Sequence, residues 1–158
     1  MVKQYLLDTN VMIDMFKGNQ RVQERIFRAE FHNCCISEIT LAELYVGAFK
    51  GGRPKQLQEI GFVCKRFRIV PISDALERYA RLRVQLERKG EAIDDFDLLI
   101  AATALTAGYT LITHNLKHFD RIEGLRTEDW DRMSDSRMPQ VLSISDLGEE
   151  YDDGLLDH

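Results

Sequence analysis

An α/β fold in three layers, with helices on both faces of a central, mainly parallel sheet, follows from two features of this chain. Short apolar runs of strand length alternate with longer segments whose apolar residues recur at helical spacing. One helical segment, "DLLIAATALTA", is apolar nearly all round, as suits a helix buried among other elements. The length of 158 residues suits one main domain with a sizeable core.

Taken in order, Tyr5–Leu7 reads as the first strand and 11–17 as a short helix ending at Gly18. Val22, Ile26 and Ala29 carry the spacing of a second helix. Cys34, Cys35 and Ile36 make strand two, followed by a helix over about 40–49 that Gly51 and Gly52 halt. Pro54 suits the first turn of the next helix. Strand three falls in 67–72, and a long helix from about Ala75 to Leu86 stops at Gly90. The buried helix ends at Gly108, strand four is 109–112, and a short fifth strand is expected near 124–126. Beyond Trp130 the pattern fails, so the expected division is a folded unit 1–130 and a C-terminal appendage 131–158, disordered or weakly docked.

The net charge of -5 comes from that appendage, which holds eight acidic and two basic residues. This leaves 19 basic against 18 acidic residues in 1–130, a balance compatible with nucleic-acid binding but not announcing it. No uninterrupted apolar segment approaches the roughly 20 residues that cross a bilayer, and the N-terminus lacks the pattern of a signal peptide. The cytoplasm is the expected compartment, with no membrane partner. Cys34, Cys35 and Cys64 fit a reducing environment and are expected as small buried hydrophobes, with no disulfide framework.

Open parallel sheets build their sites beyond the carboxyl ends of the strands. Oxygen donors recur at such corners here: Asp8 after strand one, Glu43 after strand two, Asp97 at the start of the buried helix, and Thr113, Asn115 and Asp120 after strand four. Each acid has a simpler use. Asp8 could cap a helix, Thr40 and Glu43 have capping-box spacing, and Asp94, Asp95 and Asp97 could complement a helix dipole. Capping alone does not explain why Glu43 and Asp97 are each followed at once by apolar residues. Clustered carboxylates repel unless a cation lies between them, and all-oxygen ligands suit Mg2+ or Mn2+. Such an ion orients water and offsets charge on a phosphodiester, so phosphodiester hydrolysis is the chemistry that this set fits.

The stretches "LLDTNVMID", "ISEITLAELYVG" and "DDFDLLIAATALTAGYTLITHNLKHFDRIEGLRTEDW" resemble the PIN-domain ribonucleases, most closely the VapC-type toxins of bacterial toxin–antitoxin pairs. The resemblance covers about 1–130. It implies a three-layer α/β/α PIN-like fold and metal-dependent endonuclease activity on RNA. By position, Asp8, Glu43 and Asp97 match the family's acidic metal-site residues. Asp120 and Asn115 match its variable fourth position, and Thr9, Asn10 and Thr113 look like supports for the site. The family also implies a VapB-type antitoxin whose tail lies over the site, and a homodimer. The long acidic appendage departs from the family pattern; one expectation is that it lies over the RNA groove and weakens activity, another that it is only a flexible tail.

Arg21, Arg25 and Arg28 share a helix face, Arg78, Arg81 and Arg88 roughly share another, and Lys65, Arg66 and Arg68 form a local cluster. These are expected as solvated faces more than RNA contacts, and with a near-neutral body the salt dependence of RNA binding should be modest. A structured RNA or a single-stranded loop suits better than long duplex. His114 and His118 lack a third soft ligand and are read as packing rather than zinc ligands. Two rival functions remain open at this point. A haloacid-dehalogenase-like phosphatase also starts with an apolar strand and Asp, but Asn10 stands where its second Asp would be. A non-catalytic RNA- or partner-binding scaffold would need a depleted acid set.

Overall fold

The computed structural model describes residues 2–51 and 54–132. The expectations for 133–158, including a disordered or inhibitory tail, lie outside the described residues. The chain runs β1 (Tyr5–Leu7), α1 (Thr9–Phe16), α2 (Gln20–Ala29), β2 (Cys34–Ser37), α3 (Glu38–Gly51), α4 (Pro54–Arg66), β3 (Arg68–Val70), α5 (Leu76–Arg88), α6 (Asp95–Ala107), β4 (Thr110–Ile112), α7 (Leu116–Phe119) and β5 (Thr127–Glu128). The five strands form one sheet in the order β3-β2-β1-β4-β5, parallel at every pairing. The chain thus runs outward from the central β1 to one edge, then returns to build the other. The order reverses beside β1, and such switch points open a crevice at the carboxyl ends of the strands.

Strand alternation sorts the apolar residues onto two faces. Leu7, Cys34, Ile36 and Ile112 join one core with Val11, Met12 and Val22 of the helices α1 and α2, and with Leu44 and Val63 of α3 and α4. Leu6, Cys35 and Leu111 join the other with Leu86 of α5 and Leu98, Ile100, Ala101 and Ala104 of α6. Two cores on one sheet make the three layers. Among the described residues no helix is long and apolar enough to cross a membrane.

Several boundaries differ from the sequence expectation. α3 begins at Glu38, two residues early, because Ser37 at the end of β2 accepts a hydrogen bond from the Ile39 N–H (3.1 Å). Thr40 is therefore inside the helix and buried, and the capping box does not form. The fifth strand lies at Thr127–Glu128, where it pairs with Leu111 and Ile112. Cys34 and Cys35 are buried thiols, pushed up to about 12 and about 11 by burial, whereas Cys64 is exposed on α4.

Asp131 is docked rather than free. Its carboxylate accepts from Asn19 (3.0 Å) and its carbonyl from Arg21 (3.2 Å). Trp130 is buried edge-on against Tyr5 (5.1 Å between centroids), with the Arg25 guanidinium over its ring. Two members of the first arginine stripe, Arg21 and Arg25, thus bind Asp131 and Trp130, while Arg28 is exposed.

Gly108 ends α6 at φ +74°, and a Cβ built there would meet nothing within 4 Å. The cost of Gly108→Ala is then purely that of left-handed backbone, about 1–2 kcal/mol, to be read from urea unfolding.

Candidate active site

The carboxyl end of β1 delivers Asp8 into the crevice. Its backbone N–H is bound by the Ile112 carbonyl of β4 (2.8 Å), so the residue is still tied to the sheet as the helix begins. Asp8 is the N-cap of α1, and its two oxygens have separate partners. Oδ1 accepts from the Thr9 N–H (2.8 Å), and Oδ2 accepts from the Thr113 hydroxyl (2.9 Å). The residue thus caps α1 and remains a candidate site acid. The cap is Asp8 itself; Thr9 and Asn10 are the first helical residues.

The Thr9 hydroxyl donates to Glu43 Oε1 (2.8 Å) and lies 3.1 Å from Thr40 Oγ1. Thr9 therefore aims Glu43, on the first turns of α3, toward the end of β1. Thr9→Val should leave the fold intact and weaken divalent-ion binding by about tenfold, the scale for a lost orienting hydrogen bond; calorimetric titration measures it.

The acidic start of α6 divides its labour. Asp94 is the N-cap and accepts from the Phe96 N–H (3.0 Å). Asp95 turns to α5, accepting from the Tyr79 hydroxyl (2.8 Å) and pairing with Arg83 (3.3 Å). Asp97, half-buried, is left for the site, and His118 Nε2 of α7 lies 3.2 Å from its Oδ2. His118 is thus more than packing against Phe119. Nothing in the local sequence announces this contact, because it needs α7 to fold back across the start of α6.

Burial pushes the Asp8 carboxyl up to about 6, and the charges of Asp97 and Glu43 push in the same direction. Burial also raises Asp97, against the pull of His118 and with the push of Asp94. Asp8 thus feels both of the other acids. The Asn10 Oδ1 oxygen is buried with no hydrogen-bond partner. An all-oxygen donor set in which two carboxylates push against a third fits a hard divalent cation. Asn115 and Asp120 flank α7, exposed, and neither side chain is hydrogen-bonded to the three acids. The Asn115 N–H donates to Thr113 Oγ1 (3.1 Å) and so supports the hydroxyl that holds Asp8. Beside Glu43 runs a groove of about 290 Å3 lined by Ile13, Phe16, Leu44, Ala48 and Ile60, with Lys17 and Lys55 among its walls.

A parallel sheet ordered 3-2-1-4-5 with acids gathered at its carboxyl edge defines a class, and a sequence profile of the PIN domain matches residues 5–125. The chain belongs to the PIN-domain family. Within that family its relatives are VapC proteins. It is 34% identical over 128 residues to the tRNA(fMet)-specific endonuclease VapC of Shigella flexneri, covering 80% of this chain and 97% of the relative. It is 33% identical to ribonuclease VapC2 of Haemophilus influenzae over the same shares. Among solved structures, DNA-bound VapBC from Salmonella typhimurium superposes with a TM-score of 0.75 at 32% identity, over 81% of this chain and 98% of that one. A toxin–antitoxin complex from Klebsiella pneumoniae does so with a TM-score of 0.63 at 34% identity, over 77% and 95%.

Proposed function

We propose that this chain is a divalent-metal-dependent endoribonuclease of the VapC type, hydrolysing RNA phosphodiester bonds and neutralised by a VapB-type antitoxin. The observation that carries the reading is the buried Asp8 carboxylate, against which the charges of Asp97 and Glu43 push, at the carboxyl end of β1 in a PIN fold. These three acids would hold Mg2+ or Mn2+, and the ion when bound would activate water and offset charge on the phosphate. The chain's own contribution is orientation. Thr9 aims Glu43, Thr113 and the Thr9 N–H fix Asp8, and His118 bears on Asp97. Asn10 supplies a buried oxygen near the start of α1, and Asn115 and Asp120 are assigned to the rim where RNA enters. The family membership and the intact acid set argue against both the phosphatase and the inert scaffold.

The antitoxin reading is supported by the apolar groove beside Glu43, a surface suited to a peptide that ends over the acids. Action on RNA in the cytoplasm, as a homodimer, completes the proposal, with 1–130 as the nuclease unit and 131–158 as an appendage. The test is cleavage of a panel of RNAs, tRNAs included, with Mg2+ or Mn2+, with EDTA, and with the cognate antitoxin added. Cleavage that needs metal and stops with antitoxin is expected; RNA left whole under every metal condition would overturn it.

A further inference from the structure

Among the described residues, one group of imidazole and carboxylate ligands has one ligand atom from each member within 4.8 Å of the others, and it is not the group just described. It comprises Asp14 of α1, His114 at the exit of β4 and Asp131 after β5. We propose that these three residues form a second metal site, for zinc or a similar imidazole-binding transition ion, that ties α1 to the chain leaving the sheet.

The imidazole is set for it. His114 Nδ1 lies 2.9 Å from Oδ1 of Asp129, a carboxylate only 8% exposed as a residue. Asp129 is itself held by the Asp131 N–H (3.0 Å) and by Arg132 (3.1 Å). With Nδ1 donating to Asp129, Nε2 would present its lone pair to an ion, the arrangement that metal-binding histidines use. Nε2 is buried and has no hydrogen-bond partner, yet it stands 2.8 Å from Asp14 Oδ2. A ring nitrogen and a carboxylate oxygen this close need a positive charge between them, which either a proton or a metal ion supplies. A tetrahedral zinc with bonds of roughly 2.0–2.1 Å sets its ligand atoms about 3.3 Å apart, a small opening of this pair. Asp131 supplies the third ligand, its Oδ1 also accepting from Asn19 (3.0 Å). The Arg21 guanidinium, 3.7 Å from Asp131 Oδ1, offsets part of the surplus negative charge. Water would complete the shell. The two centres should differ in taste, since the imidazole favours zinc whereas the all-oxygen acids favour magnesium.

The test uses the full metal-stripped chain in an Asp8→Asn, Asp97→Asn background, which disables the nuclease acids. Zn2+ binding is followed by calorimetry, and Co2+ by its visible absorption. The background protein should bind one Zn2+ in the presence of excess Mg2+, with tetrahedral Co2+ bands. Adding His114→Gln should abolish the bands and weaken binding by about 100-fold, and Asp131→Asn should weaken it at least about tenfold. No Zn2+ bound by the folded background protein, or equal binding with and without the changes, overturns the site and leaves His114 as an ion-pair bridge only. Should His114→Gln fail to fold, Asp131→Asn, which changes one oxygen at the surface, decides alone.

Discussion

Asp97→Asn is expected to lower metal-dependent RNA cleavage by at least about 100-fold, or roughly 2.7 kcal/mol of transition-state stabilisation, within the several kcal/mol that metal-ion charge stabilisation supplies. The change keeps the shape of the side chain and removes only its charge. Asp97 is the one acid of the α6 start with no capping or ion-pairing duty on α5, so its loss should touch the site and little else. Burial already disfavours its ionised form, and a neutral amide should therefore cost no stability. The comparison is a cleavage time course with Mg2+ present, alongside unfolding of both proteins. Equal cleavage by the two proteins would remove Asp97 from the centre.

The second large effect is on stability against pH in the metal-free protein. The Asp8 carboxyl is raised by burial from an ordinary value of 3.8 to about 6. A group raised on folding contributes stability that is fully present below its unfolded value and is lost as pH rises through its folded value. Above about pH 6, ionised Asp8 should therefore cost the metal-free fold on the order of 3 kcal/mol, at 1.36 kcal/mol per unit. Asp8→Asn should be the more stable protein at pH 8, with the difference fading toward pH 4. Glu128 works in the opposite sense: burial pushes its carboxyl up, but Lys3, Trp130 and Arg25 hold it below the ordinary glutamate value. Its contribution is present above that ordinary value and lost on acidification, in both proteins alike. Urea unfolding in EDTA from pH 4 to 8 separates the two acids, and parallel curves for wild type and Asp8→Asn would refute the assignment. Added Mg2+ should close the gap at pH 8, because the ion takes the place of the proton.

Local chemistry carries much of the fold. The runs at Tyr5–Leu7 and Cys34–Ile36 and the stops at Gly90 and Gly108 are legible because strand alternation, helical spacing and left-handed glycine are properties of a few neighbouring residues. The start of α3 was less legible. Whether Ser37 or Thr40 heads a helix depends on where β2 stops pairing with β3, and that is a matter between strands. The arginines at 21 and 25 show the same limit, since their helical spacing says that they share a face but not that Trp130 and Asp131 dock there.

The sequence by itself determined the α/β class and the buried character of α6, and it singled out the candidate acids, because a carboxylate beside apolar neighbours is anomalous wherever it is read. Only the tertiary structure decided what each acid does. Asp94 caps, Asp95 pairs with α5 and Asp97 meets His118, though the three lie within four residues of one another. In the same way Asp14, His114 and Asp131 are unremarkable along the chain and become a group only when α1, β4 and the end of β5 come together. The physical reason is range: propensity and capping act within a turn of helix, whereas charge repulsion, burial and metal ligation act through space between residues that folding alone makes neighbours.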